Sequence, residues 1–143
     1  MPAAIVMGIS SDIGRELAVR FAADGWKVSG TYRERSGIAG LPSGVQVTPC
    51  DLRSQESTQA ALEAIRRHAP SWDAVVVAAG TEEPIGMFWG CDADQWEEGV
   101  RVNALAPLRL IRGLYSARNR KGTPSVVFFS GAGTNSPAPA YSA

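Results

Sequence analysis

The chain has one histidine, His68, and two cysteines, Cys50 and Cys91. With so few soft ligands, a Cys/His metal cluster is excluded, and no metal site is expected. Two cysteines cannot form the disulfide framework of a small secreted domain, so reduced thiols and a cytoplasmic setting are expected. Net charge is missing too, because 14 Lys and Arg balance 14 Asp and Glu. A neutral chain lacks the basic footprint that nucleic acid or an anionic membrane surface demands. No apolar run approaches the ~20 residues of a membrane span. Residues 1–8 lack the basic start and long apolar stretch of a signal peptide. What is present is globular in composition, with 45% hydrophobic residues, and its 143 residues suit a single domain.

Short apolar runs alternate with helical periods along the chain. Residues 3–7 are apolar and run into a Gly/Ser-rich stretch, which reads as a buried strand and a turn. Ile13, Leu17 and Phe21 recur every four residues, and Ala18 widens the stripe, so a helix is expected over 12–23. Gly25 suits its end. Further strands are expected at 26–32, 45–48, 74–80 and 125–129. Further helices are expected at 54–68, with Ser54 a candidate cap, and from 94 to about 118. The run over 74–80 is apolar without alternation, as in a central parallel strand covered on both faces. Strands alternating with helices imply an α/β fold with a parallel sheet and right-handed crossovers.

The first turn reads Gly8-Ile9-Ser10-Ser11-Asp12-Ile13-Gly14 and stands between a strand and a helix. Such a turn brings backbone N–H groups to a phosphate and aims the positive end of the helix dipole at it. Ser10 and Ser11 are candidate hydroxyl donors, and Gly14 allows close packing. Asp12 would repel a diphosphate but suits a helix N-terminus, so it is expected to face away as the cap.

This loop resembles the Thr-Gly-x-x-x-Gly-x-Gly of the short-chain dehydrogenase/reductase family. Met7 stands for the Thr and Asp12 for the middle Gly, while Gly8 and Gly14 match. Four further matches follow in order: Cys50-Asp51-Leu52 resembles the family's Asp-Leu pair near the adenine; Ala78-Ala79-Gly80 resembles Asn-Ala-Gly, with Ala78 for the Asn; the segment from Trp96 to Asn103 resembles the family's Trp…Val-Asn helix; and Ser130-Gly131 resembles its Ser-Ser. The resemblance implies a Rossmann-like doubly wound parallel sheet of strand order 3-2-1-4-5 in a single domain over 1–143. It covers only about the first half of a typical family member, so the last strands of the sheet are expected to be missing. It implies an NAD(P)-dependent oxidoreductase moving a hydride between a nicotinamide and a carbonyl or alcohol substrate. Gly8, Ser10, Ser11, Asp12, Ile13, Gly14, Asp51, Leu52, Ala79 and Gly80 are then the cofactor-binding residues.

Arg33 follows the second strand, where dinucleotide folds meet the adenosine ribose. An arginine there suits a 2′-phosphate, so NADP is favoured, with NAD the alternative; a solvated charged turn is the plain reading. Trp96, Val100, Asn103, Pro107, Leu110 and Leu114 form one expected stripe along the long helix, with Asn103 its polar member. Pro107 has no N–H to give the carbonyl of residue 103, so a kink and a carbonyl open to water are expected there. In the family this carbonyl holds a water in a proton relay, which makes Asn103 a catalytic candidate.

The family's catalytic Ser and Tyr fall near the end of the chain. Either Ser130 and Tyr141 take these roles, or Gly131 stands at the serine position and the Tyr is the residue after Ala143. No Lys follows Lys121 to complete Tyr-x-x-x-Lys. Two other readings stay open: a non-catalytic dinucleotide-binding or scaffold protein, and a nucleotide-sugar epimerase of the same superfamily. Relatives often form dimers or tetramers through helices such as the one carrying Trp96, so a homo-oligomer is expected.

Overall fold

A computed structural model of the chain describes residues 1–129 and residue 140. Strand β1 (Ala3–Met7) is buried at every position and lies in the middle of a five-stranded sheet. Strands β2 (Lys27–Tyr32), β3 (Gln46–Pro49), β4 (Ala74–Val77) and β5 (Ser125–Phe128) are all parallel to it. Their order is β3-β2-β1-β4-β5, the doubly wound order expected from the resemblance. The chain winds outward from β1 to β3 and then returns to place β4 on the other side of β1. The connections leaving β1 and β4 therefore part, and a crevice opens at their carboxyl ends.

Alternation along β1 divides the core between the two faces. Val6 packs with Val28, Val45 and Ala18 of helix α1 (Asp12–Ala23). Ile5 and Met7 pack on the other face with Val75, Val77 and the residues Ala61, Leu62 and Ile65 of helix α2 (Gln55–His68). Ser54 caps α2 as expected, its side chain accepting from Ser57 N. In α1 the residues facing the sheet are Gly14 and Ala18, whereas Ile13 is 51% exposed. The stripe read from Ile13 is thus displaced by one residue, because Gly14 is the position that must approach the sheet.

The long helix is not continuous. Helix α3 (Ala93–Val100) passes into a π turn at Arg101–Leu105, and helix α4 (Ala106–Leu114) follows, ending in a 3₁₀ turn at Tyr115–Ala117. The cause is Pro107. A π turn bonds over five residues instead of four, and Ala106 N donates to Arg101 O. The helix so passes the proline's missing donor without breaking. The extra residue also turns the buried face. After the π turn the expected Pro107, Leu110 and Leu114 are buried; before it Gly99 and Val102 are buried instead of Val100 and Asn103.

Strand β5 is as apolar as β4, yet β4 is buried throughout and β5 is exposed at each position. Its composition suits cover on both faces.

Asp73 ties three strands together at the opposite end of the sheet from the crevice. Its carboxylate accepts from Ala3 N at 2.8 Å and from Asn119 Nδ2 at 2.7 Å, and its carbonyl accepts from Ser125 N. The Asn119 bond first, then the Ala3 bond, hold its pKa below the ordinary carboxylate value. A depressed folded pKa contributes stability above the unfolded value, and that contribution is lost as pH falls through the folded one. Asp73→Asn offers a single carbonyl oxygen to two donors. It is expected to lower the denaturation midpoint at pH 7, with the gap to wild type closing in acid as pH falls through the lowered pKa of Asp73. Urea titrations at pH 7 and in acid check this; a gap unchanged in acid would contradict it.

Candidate functional site

The turn after β1 is held by its own short side chains. Ser11 Oγ donates to Gly8 O at 2.8 Å and accepts from Gly14 N at 3.0 Å. Ser11 is therefore the cap of α1, not Asp12, which is the exposed first helical residue. A serine capping the third N–H from outside the helix leaves the carboxylate of Asp12 free to face solvent, where it still favours the dipole. The Ser11 hydroxyl proton is spent on Gly8 O, so this side chain is not the hydroxyl donor that the sequence suggests. Ser10 lines the crevice.

Thr31 supplies a contact that the sequence does not reveal. Its hydroxyl accepts from Gly8 N at 3.1 Å, and its carbonyl accepts from Ile9 N at 2.8 Å. Its partner in the parallel register is Met7, so the contact follows from strand pairing and not from any local motif. Gly8 is at φ +82°, and a Cβ there would lie 2.7 Å from Ala79 N. A Cβ on Gly14 would overlap the carbonyl oxygen of Gly8. The two glycines thus permit the ends of β1, β4 and α1 to touch. With these bonds made, the N–H groups of Ser10, Asp12 and Ile13 have no acceptor among the described residues. Three donors at a helix N-terminus can receive an anionic oxygen.

A cleft of about 360 Å³ runs from this turn across the sheet end. Gly8, Ser10 and Ser11 stand at one side, Ala79 and Gly80 at another, and Arg33, Asp51 and Leu52 along its length. The structure thus brings together most of the residues singled out in the sequence, but Asp12, Ile13 and Gly14 do not line the cleft. Arg33 lies half exposed, 3.2 Å from Glu34 Oε1, a weak surface pair. Asp51 holds its own loop: its Oδ1 accepts from Arg53 N at 3.0 Å, and its N donates to Ser57 Oγ at 2.9 Å. Cys50 borders the cleft, and burial, then the neighbouring Asp51 charge, push its thiol up to about 11. It stays protonated at neutral pH and offers no nucleophile.

Asn103 stands across from the end of β4. Its Oδ1 accepts from Thr81 N at 2.8 Å and its Nδ2 donates to Thr81 O at 2.9 Å. One carboxamide so satisfies both backbone groups of the residue after Gly80. The stripe spacing showed a polar residue in need of partners; only the fold shows which. Gly86 N donates to Ala140 O at 2.9 Å, which ties the connection after β4 to the chain just ahead of Tyr141. Ser130 and Tyr141 themselves, and Gly131, lie outside the described residues. His68 is exposed in the last turn of α2, away from the cleft. Among the described residues no group of three His, Cys, Asp or Glu could hold a metal, and no helix is long and apolar enough to cross a membrane.

This geometry matches known proteins. The chain is 32% identical over 124 residues to the 3-oxoacyl-[acyl-carrier-protein] reductase MabA of Mycobacterium tuberculosis, covering 87% of this chain and 48% of that protein. It thus spans about half the length of the curated relatives it matches. A putative short-chain dehydrogenase/reductase from Burkholderia multivorans with bound NADP superposes with a TM-score of 0.73 at 24% identity, over 90% of this chain and 58% of that one. A 3-ketoacyl-(acyl-carrier-protein) reductase from Brucella melitensis complexed with NADH gives 0.72 at 24% identity, over 81% and 50%. The short chain dehydrogenase family model matches residues 2–143. By its strand order, its glycine turn and this match across nearly all its residues, the chain belongs to the short chain dehydrogenase family.

Proposed function

We propose that the chain forms the dinucleotide-binding part of an NADP-preferring oxidoreductase that interconverts a carbonyl and an alcohol, with NAD the weaker cofactor. The observation that carries this reading is the turn after β1. Its three unspent N–H groups stand together at the N-terminus of α1, in the turn whose Gly8, Ser10 and Ser11 border the cleft. The residues present fit the cofactor. Ser10, Asp12 and Ile13 would hold the diphosphate through their amides, Ser11 and Gly14 keep the turn in shape, Asp51 and Leu52 would border the adenine, and Ala79 and Gly80 would let the cofactor pass close. When bound, the nicotinamide supplies the hydride.

The protein's own part is to polarise the carbonyl and deliver a proton to the developing alkoxide. On this reading Ser130 polarises and Tyr141 donates, or the residue after Ala143 donates in its place. A tyrosine near its unperturbed pKa of ~10 does this at neutral pH only beside an ammonium. No Lys follows Lys121 among the 143 residues, so they assign no residue to that ammonium. The Asn103 carbonyl holds the relay water; a carbonyl has two lone pairs, and Pro107 has no N–H to occupy one. The Mycobacterium relative's name supports a 3-oxoacyl group as the substrate class. A cytoplasmic homo-oligomer without nucleic-acid or membrane partners completes the reading.

Titration of the full-length protein with NADPH and NADH tests it. NADPH is expected to bind at least tenfold tighter. Arg33→Ala is expected to weaken NADPH about tenfold, a loss of about 1.4 kcal/mol, and to leave NADH within twofold. Equal affinities in the wild type refute the 2′-phosphate role of Arg33, and binding of neither cofactor refutes the whole reading.

A further inference from the structure

Arg15 is the first residue after Gly14, in the opening turn of α1. Its guanidinium leaves its own helix and donates from Nη2 to Gly37 O at 2.7 Å. Its Nε is buried and has no hydrogen-bond partner among the described residues. Burying a guanidinium nitrogen unpaired costs stability, so the bond to Gly37 is what the side chain contributes at this place.

Gly37 lies in the 3₁₀ turn at Arg35–Ile38 that follows β2. A Cβ on Gly37 would stand 2.5 Å from Ser10 Cβ and 2.9 Å from Ser10 O. The turn therefore rests directly on the loop after β1, and Arg15 fastens it from the side. Ile38 packs against the apolar cluster around Val6 and Val28, but the polar bonds of the turn are few. Glu34 gives it no side-chain cap, and its own backbone bonds are long, 3.2 Å from Gly37 N to Glu34 O and 3.4 Å from Leu41 N to Ile38 O. Arg33 and Ser36 flank Glu34 and the start of this turn, and both line the cleft.

We propose that Arg15 is a positioning residue for cofactor selection. By fastening the turn over 35–38 onto the loop after β1, it sets the distance between the diphosphate amides and Arg33. Arg33 then stands where a ribose 2′-phosphate arrives. Arg15 touches no part of the cofactor; it acts through Gly37. The inference rests on the proposed role of Arg33 and adds the element that makes that role possible.

The test compares wild type, Arg15→Met, Arg15→Lys, Arg33→Ala and the double variant R15M/R33A in the full-length protein. Methionine keeps the aliphatic packing and removes the donor; lysine restores one donor. Dissociation constants for NADPH and NADH are measured for each, with hydrogen exchange at residues 36–38 in the cofactor-free protein. Arg15→Met is expected to weaken NADPH about tenfold with NADH within twofold, and to speed exchange at 36–38. Arg15→Lys is expected to recover most of both. The double variant is expected to bind NADPH no worse than Arg33→Ala, because the two act as a unit. If Arg33→Ala shifts the ratio and Arg15→Met does not, or if Arg15→Met weakens both cofactors equally, the positioning role is wrong and the Arg33 reading stands. If Arg33→Ala leaves the ratio unchanged, both fall together.

Discussion

Gly14→Ala is expected to weaken NADPH binding at least a hundredfold, about 2.8 kcal/mol, and to lower stability by about 1–3 kcal/mol. A single methyl group has this effect because of what it meets. It would overlap the carbonyl oxygen of Gly8 and stand 3.0 Å from both Gly8 C and Ile9 Cα. All three are backbone atoms, so no rotamer change relieves the contact. Gly8 has little freedom to retreat, because the backbone at Ala79 lies so near that even a Cβ on Gly8 would stand 2.7 Å from Ala79 N, and its N–H is bonded to Thr31 Oγ1. The turn must then open, which separates Gly14 N from Ser11 Oγ and spreads the amides of Ser10, Asp12 and Ile13. Gly44→Ala is the control. A Cβ there meets nothing within 4 Å, so stability stays within about 0.5 kcal/mol and binding is unchanged. Calorimetric titration with NADPH and urea denaturation read both effects. Binding within twofold of wild type in Gly14→Ala would show that the diphosphate does not sit on this turn.

How far the sequence foretold this site depends on how local each signal is. The bounds of β1 and α1 agree with the reading of 3–7 and 12–23, because an apolar run, a glycine turn and a four-residue period are all properties of neighbouring residues. Gly8, Gly14, Ala79 and Gly80 were legible for the same reason: each sits at a strand–loop junction that its own segment marks. The phase of the helix carrying Asn103 was half legible. Pro107 announced a disturbance, but a π turn adds a residue and shifts the stripe ahead of it by one, which a fixed period cannot express. Thr31 and Arg15 were not legible. One depends on the register of β1 against β2 and the other reaches Gly37, 22 residues away, so both require the fold before they have a meaning.

Asn103→Ala is expected to lower kcat of the full-length enzyme about a hundredfold and stability by about 1–3 kcal/mol. The stability figure follows from two hydrogen bonds at about 0.5–1.5 kcal/mol each. The kinetic figure follows from position, since an error of about 1 Å at a reacting centre costs about a hundredfold. Thr81 begins the connection that leaves β4 beside Gly80, and the Asn103 carboxamide is the side chain that fixes both its N–H and its C=O. Asn103→Asp separates the two bonds. Its carboxylate still accepts from Thr81 N, but it sets an oxygen against Thr81 O, so it is expected to fall between wild type and alanine in stability. Pro107→Ala isolates the main-chain carbonyl from the side chain. It gives residue 107 an N–H that can compete for the Asn103 carbonyl, while the bonds to Thr81 remain. If the proposed relay holds, a fall of about tenfold in kcat with an unchanged NADPH dissociation constant is expected, because a water held by the Asn103 carbonyl would meet a competitor and the cofactor would not. Steady-state kinetics with NADPH titrations on all three variants distinguish the two roles. If Pro107→Ala is as active as wild type while Asn103→Ala is not, Asn103 acts through its side chain, and the relay assignment is wrong.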